Sequence, residues 1–275
     1  MLPQFELFGK TFISYDLIVL IEYVTVPILM VLFRKRYGAS ILKAFYYGLL
    51  TLLFGVFALH ATSNLEFDII TKVLDYGFSR YEEISSYGYW VFMSPLYLLY
   101  CSLFCVDFRK LSDYAALPIC YVSSLGKVAC FLDGCCSGPE DPNGIYMVKL
   151  GYKVFPVHLY DAIFAGIIFI LCIVLTFTFS KKHTGYLMPI SGILWALQKM
   201  WTEQYRTWPS EVSQNFMNSG HTYWFYFEMV TLFGCIIWLI ATIICEKKGM
   251  PSFETNAIKR KFQQIKENRK PSKSE

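Results

Sequence analysis

The sequence has 275 residues, of which 55% are hydrophobic, 18% aromatic and 17% charged. A soluble domain of this size cannot cover so much apolar surface with so few polar side chains, so the composition excludes that class and indicates an integral membrane protein. The formal net charge of +4 is concentrated in the C-terminal segment KRKFQQIKENRKPSK, where it favours the anionic inner surface of a membrane over a nucleic acid.

Seven stretches of the chain are apolar enough, and about long enough at roughly 20 residues, to cross a bilayer. They are 12–33, 40–61, 87–106, 114–132, 155–179, 186–201 and 222–245. The first stretch is followed by Arg34, Lys35 and Arg36 instead of a small-residue cleavage site. We therefore expect it to be retained as a membrane span rather than removed as a signal peptide.

Basic residues are concentrated in alternate connectors. Most of the 25 lysines and arginines lie in the first, third and fifth connectors and in the tail. The positive-inside rule places these segments in the cytoplasm, with the N-terminus outside. We predict an all-α integral membrane protein with seven transmembrane helices, small extracytoplasmic connectors and a cytoplasmic C-terminus. Residues 1–246 would form one membrane domain, and residues 247–275 a basic tail without regular structure.

The fourth predicted span ends in the cysteine-rich stretch GKVACFLDGCCSG. This stretch can be interpreted as a metal site, a thiol redox site or part of a phospholipid site. Cys130, Cys135 and Cys136 follow a Cys-x4-Cys-Cys spacing, whereas structural zinc sites usually repeat a closer pair and redox sites use Cys-x-x-Cys. We therefore predict no metal site and no cofactor.

The fifth span begins with FPVHLYDA. If its helix starts after Pro156, His158 and Asp161 are three residues apart on one helix face. His158 can then be a general base held by the carboxylate. A histidine at a helix start that is satisfied by neighbouring polar groups explains the same spacing equally well.

The sixth span ends in KMWTEQYR. Lys199, Glu203 and Arg206 are spaced four and three apart, so on a helix they share one face, and the carboxylate can orient both cations. Two cations held in this way suit a phosphate group.

Ionisable residues at membrane depth are costly, so each is a candidate for a functional site. They are Asp16, Glu22, Lys127, Asp161, Lys199, Glu203, Arg206 and Glu228. As a set, they predict a polar chamber near the outer ends of the spans that holds an anionic head group. The alternative is that they pair with one another only to lock the helices together.

These motifs resemble those of one known family. GKVACFLDGCCSG followed by FPVHLYDA is similar to GRxGCFLxGCCYG followed by HPxQLYE in the prolipoprotein diacylglyceryl transferases. KMWTEQYR resembles that family's RFxxExxR, and FGKTFISYDL resembles its opening segment, with Tyr15 at the family's tyrosine. The resemblance runs from about residue 8 to residue 245 in the same order.

The resemblance implies transfer of a diacylglyceryl group from phosphatidylglycerol, or a similar anionic phospholipid, to the lipobox cysteine thiol of bacterial preprolipoproteins at the cytoplasmic membrane. Lys127 and Lys199 fall where the family has arginines, and Arg206 matches directly. These three would stabilise the departing phosphate, with His158 as the base. Further positions would bind or orient the lipid head group and the cations: Tyr15, Cys130, Asp133, Gly138, Tyr160, Asp161 and Glu203.

The chain also departs from the family pattern. Lysine lacks the planar guanidinium that grips a phosphate bidentately. The family's His-Gly-Gly segment should align with part of YWVFMSPLYLLY, which contains neither. Two alternatives follow: a member that has lost the chemistry and binds lipid or lipoprotein, and a related transferase that uses another anionic lipid.

Overall fold

The computed structural model describes residues 4–7, 9–74, 88–104, 106–134, 138–148, 150–180, 182–206 and 223–249. Within these residues the chain forms seven α-helices: α1 (Ser14–Phe33), α2 (Ile41–Leu74), α3 (Gly88–Phe104), α4 (Phe108–Asp133), α5 (Val157–Thr178), α6 (Leu187–Thr202) and α7 (Tyr223–Lys247). Two antiparallel hairpins lie outside the helices: β1 (Gln4–Leu7) with β2 (Lys10–Ile13), and β3 (Glu140–Met147) with β4 (Tyr152–Val154).

The helices are those of a multi-pass membrane protein. Among the described residues, five stretches are long and apolar enough to cross a bilayer: Ser14–Tyr37, Ile41–Leu59, Phe108–Asp133, Val157–Thr178 and Phe225–Lys247. Large apolar side chains cover the outside of the bundle; Leu42 is 79% exposed and Ile237 is 67% exposed. This is the surface that hydrocarbon requires. The count of seven spans and the placement of the termini stay predictions from the sequence.

Each predicted span coincides with a helix, but two boundaries were wrong. Helix α2 continues to Leu74, through residues assigned to a connector, because NLEFDIITKVL keeps apolar residues at helical spacing after the strongly apolar run ends. Helix α4 starts at Phe108, and the side chain of Asp107 caps it by accepting the backbone N–H of Lys110 at 3.3 Å.

The connectors are not free of strands. The segment that resembles the family's opening contains the strand β2 immediately before α1. Residues 140–147 and 152–154 pair as the β3–β4 hairpin. Of the predicted tail, residues 250–275 lie outside the described residues, as do Cys135 and Cys136.

Helix α4 is the centre of the bundle and packs against α1, α3, α5 and α6. Ala115 and Ala116 are fully buried, so neighbouring helices approach its backbone closely. Glycine has the same effect elsewhere: a Cβ on Gly192 of α6 would lie 2.4 Å from Cys235 Sγ of α7.

Asp113, near the start of α4, fixes the start of α6. Its buried carboxylate accepts the backbone N–H of Gly185 at 2.7 Å and that of Leu187 at 2.8 Å. Leu187 is the first residue of α6, and its N–H is one of those that the first turn of a helix leaves without an internal partner. Asp113 therefore ties two distant parts of the chain together through the backbone.

Candidate functional site

At the opposite end of α4, one buried carboxylate contacts three cations. Asp161 is fully buried, and its Oδ2 accepts a hydrogen bond from Lys199 Nζ at 2.5 Å and from Arg206 Nη2 at 2.9 Å. Lys127 Nζ lies 3.8 Å from the same oxygen. Arg206 Nη1 also pairs with Glu203 Oε1 at 3.0 Å. We refer to these five residues as the Asp161 cluster.

Three helices supply the Asp161 cluster. Lys127 lies near the end of α4, Asp161 in the second turn of α5, and Lys199 in the last turn of α6. The prediction that α5 starts after Pro156 is confirmed, since the helix begins at Val157. The cluster therefore marks the end of the bundle where α4 ends, α5 begins and α6 ends.

The sequence suggested that one continuous helix carries Lys199, Glu203 and Arg206. In the structure it does not. Helix α6 stops at Thr202, a 3-10 turn follows over Glu203–Tyr205, and Arg206 has an extended backbone. The last turn of a helix often tightens in this way, and here it turns Arg206 towards α5. Asp161 contacts both Lys199 and Arg206, and Glu203 pairs with Arg206.

The Asp161 cluster is almost completely buried. The side chains of Lys199, Arg206 and Lys127 are 2%, 7% and 10% exposed. With two carboxylates and three cations, its formal charge is positive. A charge removed from water is stabilised only by partners of opposite charge or by hydrogen bonds, and ammonium and guanidinium groups are the side-chain groups that bind a phosphate.

Sequence reasoning missed Gln198. Its Nε2 donates to Asp161 Oδ1 at 2.5 Å, whereas the cations contact Oδ2. The available signal was its position beside Lys199 in an otherwise apolar helix, but an uncharged amide carries no membrane penalty comparable to that of an ion.

His158 lies in the first turn of α5 and is fully buried, as is Asp161. Because α5 is helical from Val157 onward, the three-residue spacing places both on one side of the helix. The His158 ring packs against Phe131 of α4, with 5.1 Å between ring centroids. The use of His158 as a base stays a prediction.

Gly138 joins the start of α5 to the end of α6. Its N–H donates to the carbonyl of Phe155 at 2.9 Å. A Cβ here would lie 2.7 Å from the Phe155 carbonyl oxygen and 2.8 Å from that of Tyr205. The backbone can come this close only where the side chain is absent.

The remaining predicted residues lie around the cluster. Tyr15 and Cys130 line a cavity of about 180 Å³ with Lys127. Asp133 is the last residue of α4 and is partly exposed.

Tyr160 lies on the outside of the bundle, 36% exposed. It stacks on Phe155, with 5.2 Å between ring centroids, and contacts Trp201 edge-on. Aromatic groups of this kind are typical of the membrane–water interface. This aromatic group lies at the same end of the bundle as the Asp161 cluster.

The fold and the cluster together define an integral membrane protein with a buried cluster of charged side chains at one end of its helix bundle. The family model for prolipoprotein diacylglyceryl transferase matches residues 14–245. The chain belongs to this family, which confirms the resemblance seen in the motifs. A comparison with curated proteins finds no match. The family is one of membrane transferases that act on lipoprotein precursors.

Proposed function

We propose that the protein transfers the diacylglyceryl group of phosphatidylglycerol to the lipobox cysteine thiol of preprolipoproteins in the bacterial cytoplasmic membrane. A sulfur–carbon bond forms at the glyceryl carbon. The bond between that carbon and the phosphate oxygen breaks, and glycerol phosphate leaves with the bonding electrons. The thiol proton goes to a base.

The observation that carries this proposal is the convergence of Lys127, Lys199 and Arg206 on one buried carboxylate. Negative charge grows on the phosphate as the carbon–oxygen bond breaks. Cations fixed in a site of low polarity stabilise such charge more strongly than water does. The family membership supports the same chemistry.

The cations can contact Asp161 and a phosphate together. An ammonium group carries three N–H donors and a guanidinium group five, so each retains donors after it has bonded to the carboxylate. In this proposal Asp161 and Glu203 are positioning residues, because they hold the cations and do not touch the reacting atoms.

His158 is the proposed base. A thiol is a poor nucleophile until it loses its proton, and imidazole is the side chain whose ordinary pKa lies closest to neutrality. Its position in the turn before Asp161, at the end of α5 where the cluster lies, supports this role.

The test is transfer by the purified protein in lipid nanodiscs that contain phosphatidylglycerol labelled in the diacylglyceryl part. A lipobox peptide and its Cys→Ser counterpart are the acceptors, and mass spectrometry follows the peptide. We expect the mass of one diacylglyceryl group on the cysteine peptide only.

A panel of other anionic lipids is run alongside, together with a family member that carries the full motifs. Absence of transfer from phosphatidylglycerol while that enzyme works would contradict the proposal. Lipid binding without transfer would then identify a member that has lost the chemistry, and transfer from another lipid would identify a different donor.

A further inference from the structure

Glu22, in the middle of α1, is a buried carboxylate that the Asp161 cluster does not explain. It is 8% exposed, and its Oε1 has no hydrogen-bond partner among the residues that the structure describes. A carboxylate at membrane depth without a partner is unfavourable, so such a group marks a ligand site.

Ser123 of α4 is a second polar group of this kind. It is 9% exposed, and its Oγ also lacks a hydrogen-bond partner within the described part of the chain. Glu22 and Ser123 line the same cavity of about 180 Å³ between α1, α2 and α4. Thr51, on the α2 wall, differs because its hydroxyl donates to the Tyr47 carbonyl at 2.7 Å.

The cavity leads to the cations through Lys127, which also lines it. Ser123 and Lys127 are one helical turn apart, about 6 Å along α4. A Cβ on Gly126 would lie 3.9 Å from Glu22 Oε1, so the Glu22 carboxylate faces this same turn. A ligand with an anionic group on Lys127 can therefore extend along the turn to Glu22 and Ser123.

We propose that Glu22 and Ser123 bind the hydroxyl groups at the free end of the donor lipid's head group, and thereby select a short polyol over a head group without hydroxyls. The carboxylate accepts hydrogen bonds, and the serine hydroxyl both donates and accepts them. A three-carbon head group with two hydroxyls spans about the one turn that separates Ser123 from Lys127. This inference rests on the proposed function for the identity of the transferred group.

The test compares two donors with identical acyl chains, phosphatidylglycerol and phosphatidylmethanol, in nanodiscs with a lipobox peptide. The unaltered protein should show a KM for phosphatidylglycerol about tenfold lower, since the hydrogen bonds of the two head-group hydroxyls together contribute a factor of this size. Glu22→Leu should bring the two KM values close together with kcat for phosphatidylmethanol retained. Glu22→Gln keeps an acceptor oxygen and should restore part of the preference.

An unchanged preference for phosphatidylglycerol in Glu22→Leu would overturn the inference. A preference for phosphatidylethanolamine that depends on Glu22 would also overturn it, because the ligand group would then be an ammonium. If Glu22→Leu is inactive with both lipids, Ser123→Ala is decisive: a reduced preference supports the assignment, and an unchanged one refutes it.

Failure of the proposed function has a different signature, namely that the unaltered protein transfers from neither lipid. Native mass spectrometry then measures which lipid is retained. Retention of phosphatidylglycerol over phosphatidylmethanol that disappears in Glu22→Leu supports the site, and equal retention of both refutes it.

Discussion

Two buried aspartates, at opposite ends of the bundle, differ in the groups that donate hydrogen bonds to them. Asp113 accepts hydrogen bonds from backbone N–H groups of Gly185 and Leu187, and those donors have no further capacity. Asp161 accepts from Lys199 and Arg206, which keep donors for another partner. The two carboxylates are therefore equally buried but differ in role. Asp113 fixes the start of α6, and Asp161 holds cations that can bind a ligand.

The largest effect should come from removing a cation of the Asp161 cluster. Lys199→Ala should lower the transfer rate at least about 100-fold, the usual loss when a donor to developing negative charge is removed. The assay is peptide transfer at saturating phosphatidylglycerol. Lys248→Ala, at an exposed position after α7, is the matched control and should transfer at the native rate. Unaltered turnover in Lys199→Ala would remove Lys199 from the site.

Lys127 tests whether a lysine does what arginine does in the family. Lys127→Arg should keep the transfer rate within about tenfold of the native value, because the cation is retained and gains a planar fork. Lys127→Ala should lose most of the activity. If the arginine variant is as inactive as the alanine variant, the cation at this position serves packing rather than the phosphate.

Replacement of Gly138 should disturb the packing around the site and leave its charge unchanged. Gly138→Ala adds a Cβ within 3 Å of two carbonyl oxygens, and overpacking of this kind costs about 1–3 kcal/mol of unfolding free energy. Thermal unfolding in detergent measures the loss. Gly234→Ala, where a Cβ meets nothing within 4 Å, should leave the melting temperature unchanged or slightly higher. Equal melting temperatures for the two variants would contradict the close approach at Gly138.

The smallest effect should come from His183, which pairs with Glu246 at 2.7 Å near the end of α7. The two side chains are 39% and 36% exposed, and exposed pairs contribute about 1 kcal/mol or less. His183→Ala should change neither the transfer rate nor, beyond that amount, the stability. A large loss of transfer would show that the end of the bundle where Asp113 lies takes part in function.

The helices could be predicted from the sequence because the bilayer imposes a long apolar run on each of them. The ends were harder where helices outlast the apolar run, as in α2. Candidate site residues could be chosen from the sequence because charged side chains at membrane depth are rare. Which of these side chains pair with one another could not be predicted. Asp161 lies on a different helix and contacts both Lys199 and Arg206, and residue spacing within one segment cannot reveal such a partner.

The sequence analysis missed residues whose hydrogen-bond partners are distant in the sequence. Asp113 was not singled out, because the backbone N–H groups that it binds, those of Gly185 and Leu187, are more than 70 positions away. Gln198 was missed because it carries no charge. Glu22 was recognised as costly, but only the packing of α1 against α4 places it in one cavity with Ser123 and Lys127.

The central claim is that the Asp161 cluster handles the donor phosphate, and the pair Asp161→Asn and Asp113→Asn tests it most directly. The measurement is the rate of transfer from phosphatidylglycerol per folded molecule, with the folded fraction taken from thermal unfolding. Asp161→Asn leaves buried cations without their carboxylate and should lose about 3–5 kcal/mol of stability. Its folded molecules should also lose at least about tenfold in rate, because loosened cations are misplaced at the reacting atoms. Asp113→Asn should lose about 1–3 kcal/mol of stability and keep the native rate. Equal rates for the two variants would contradict the account.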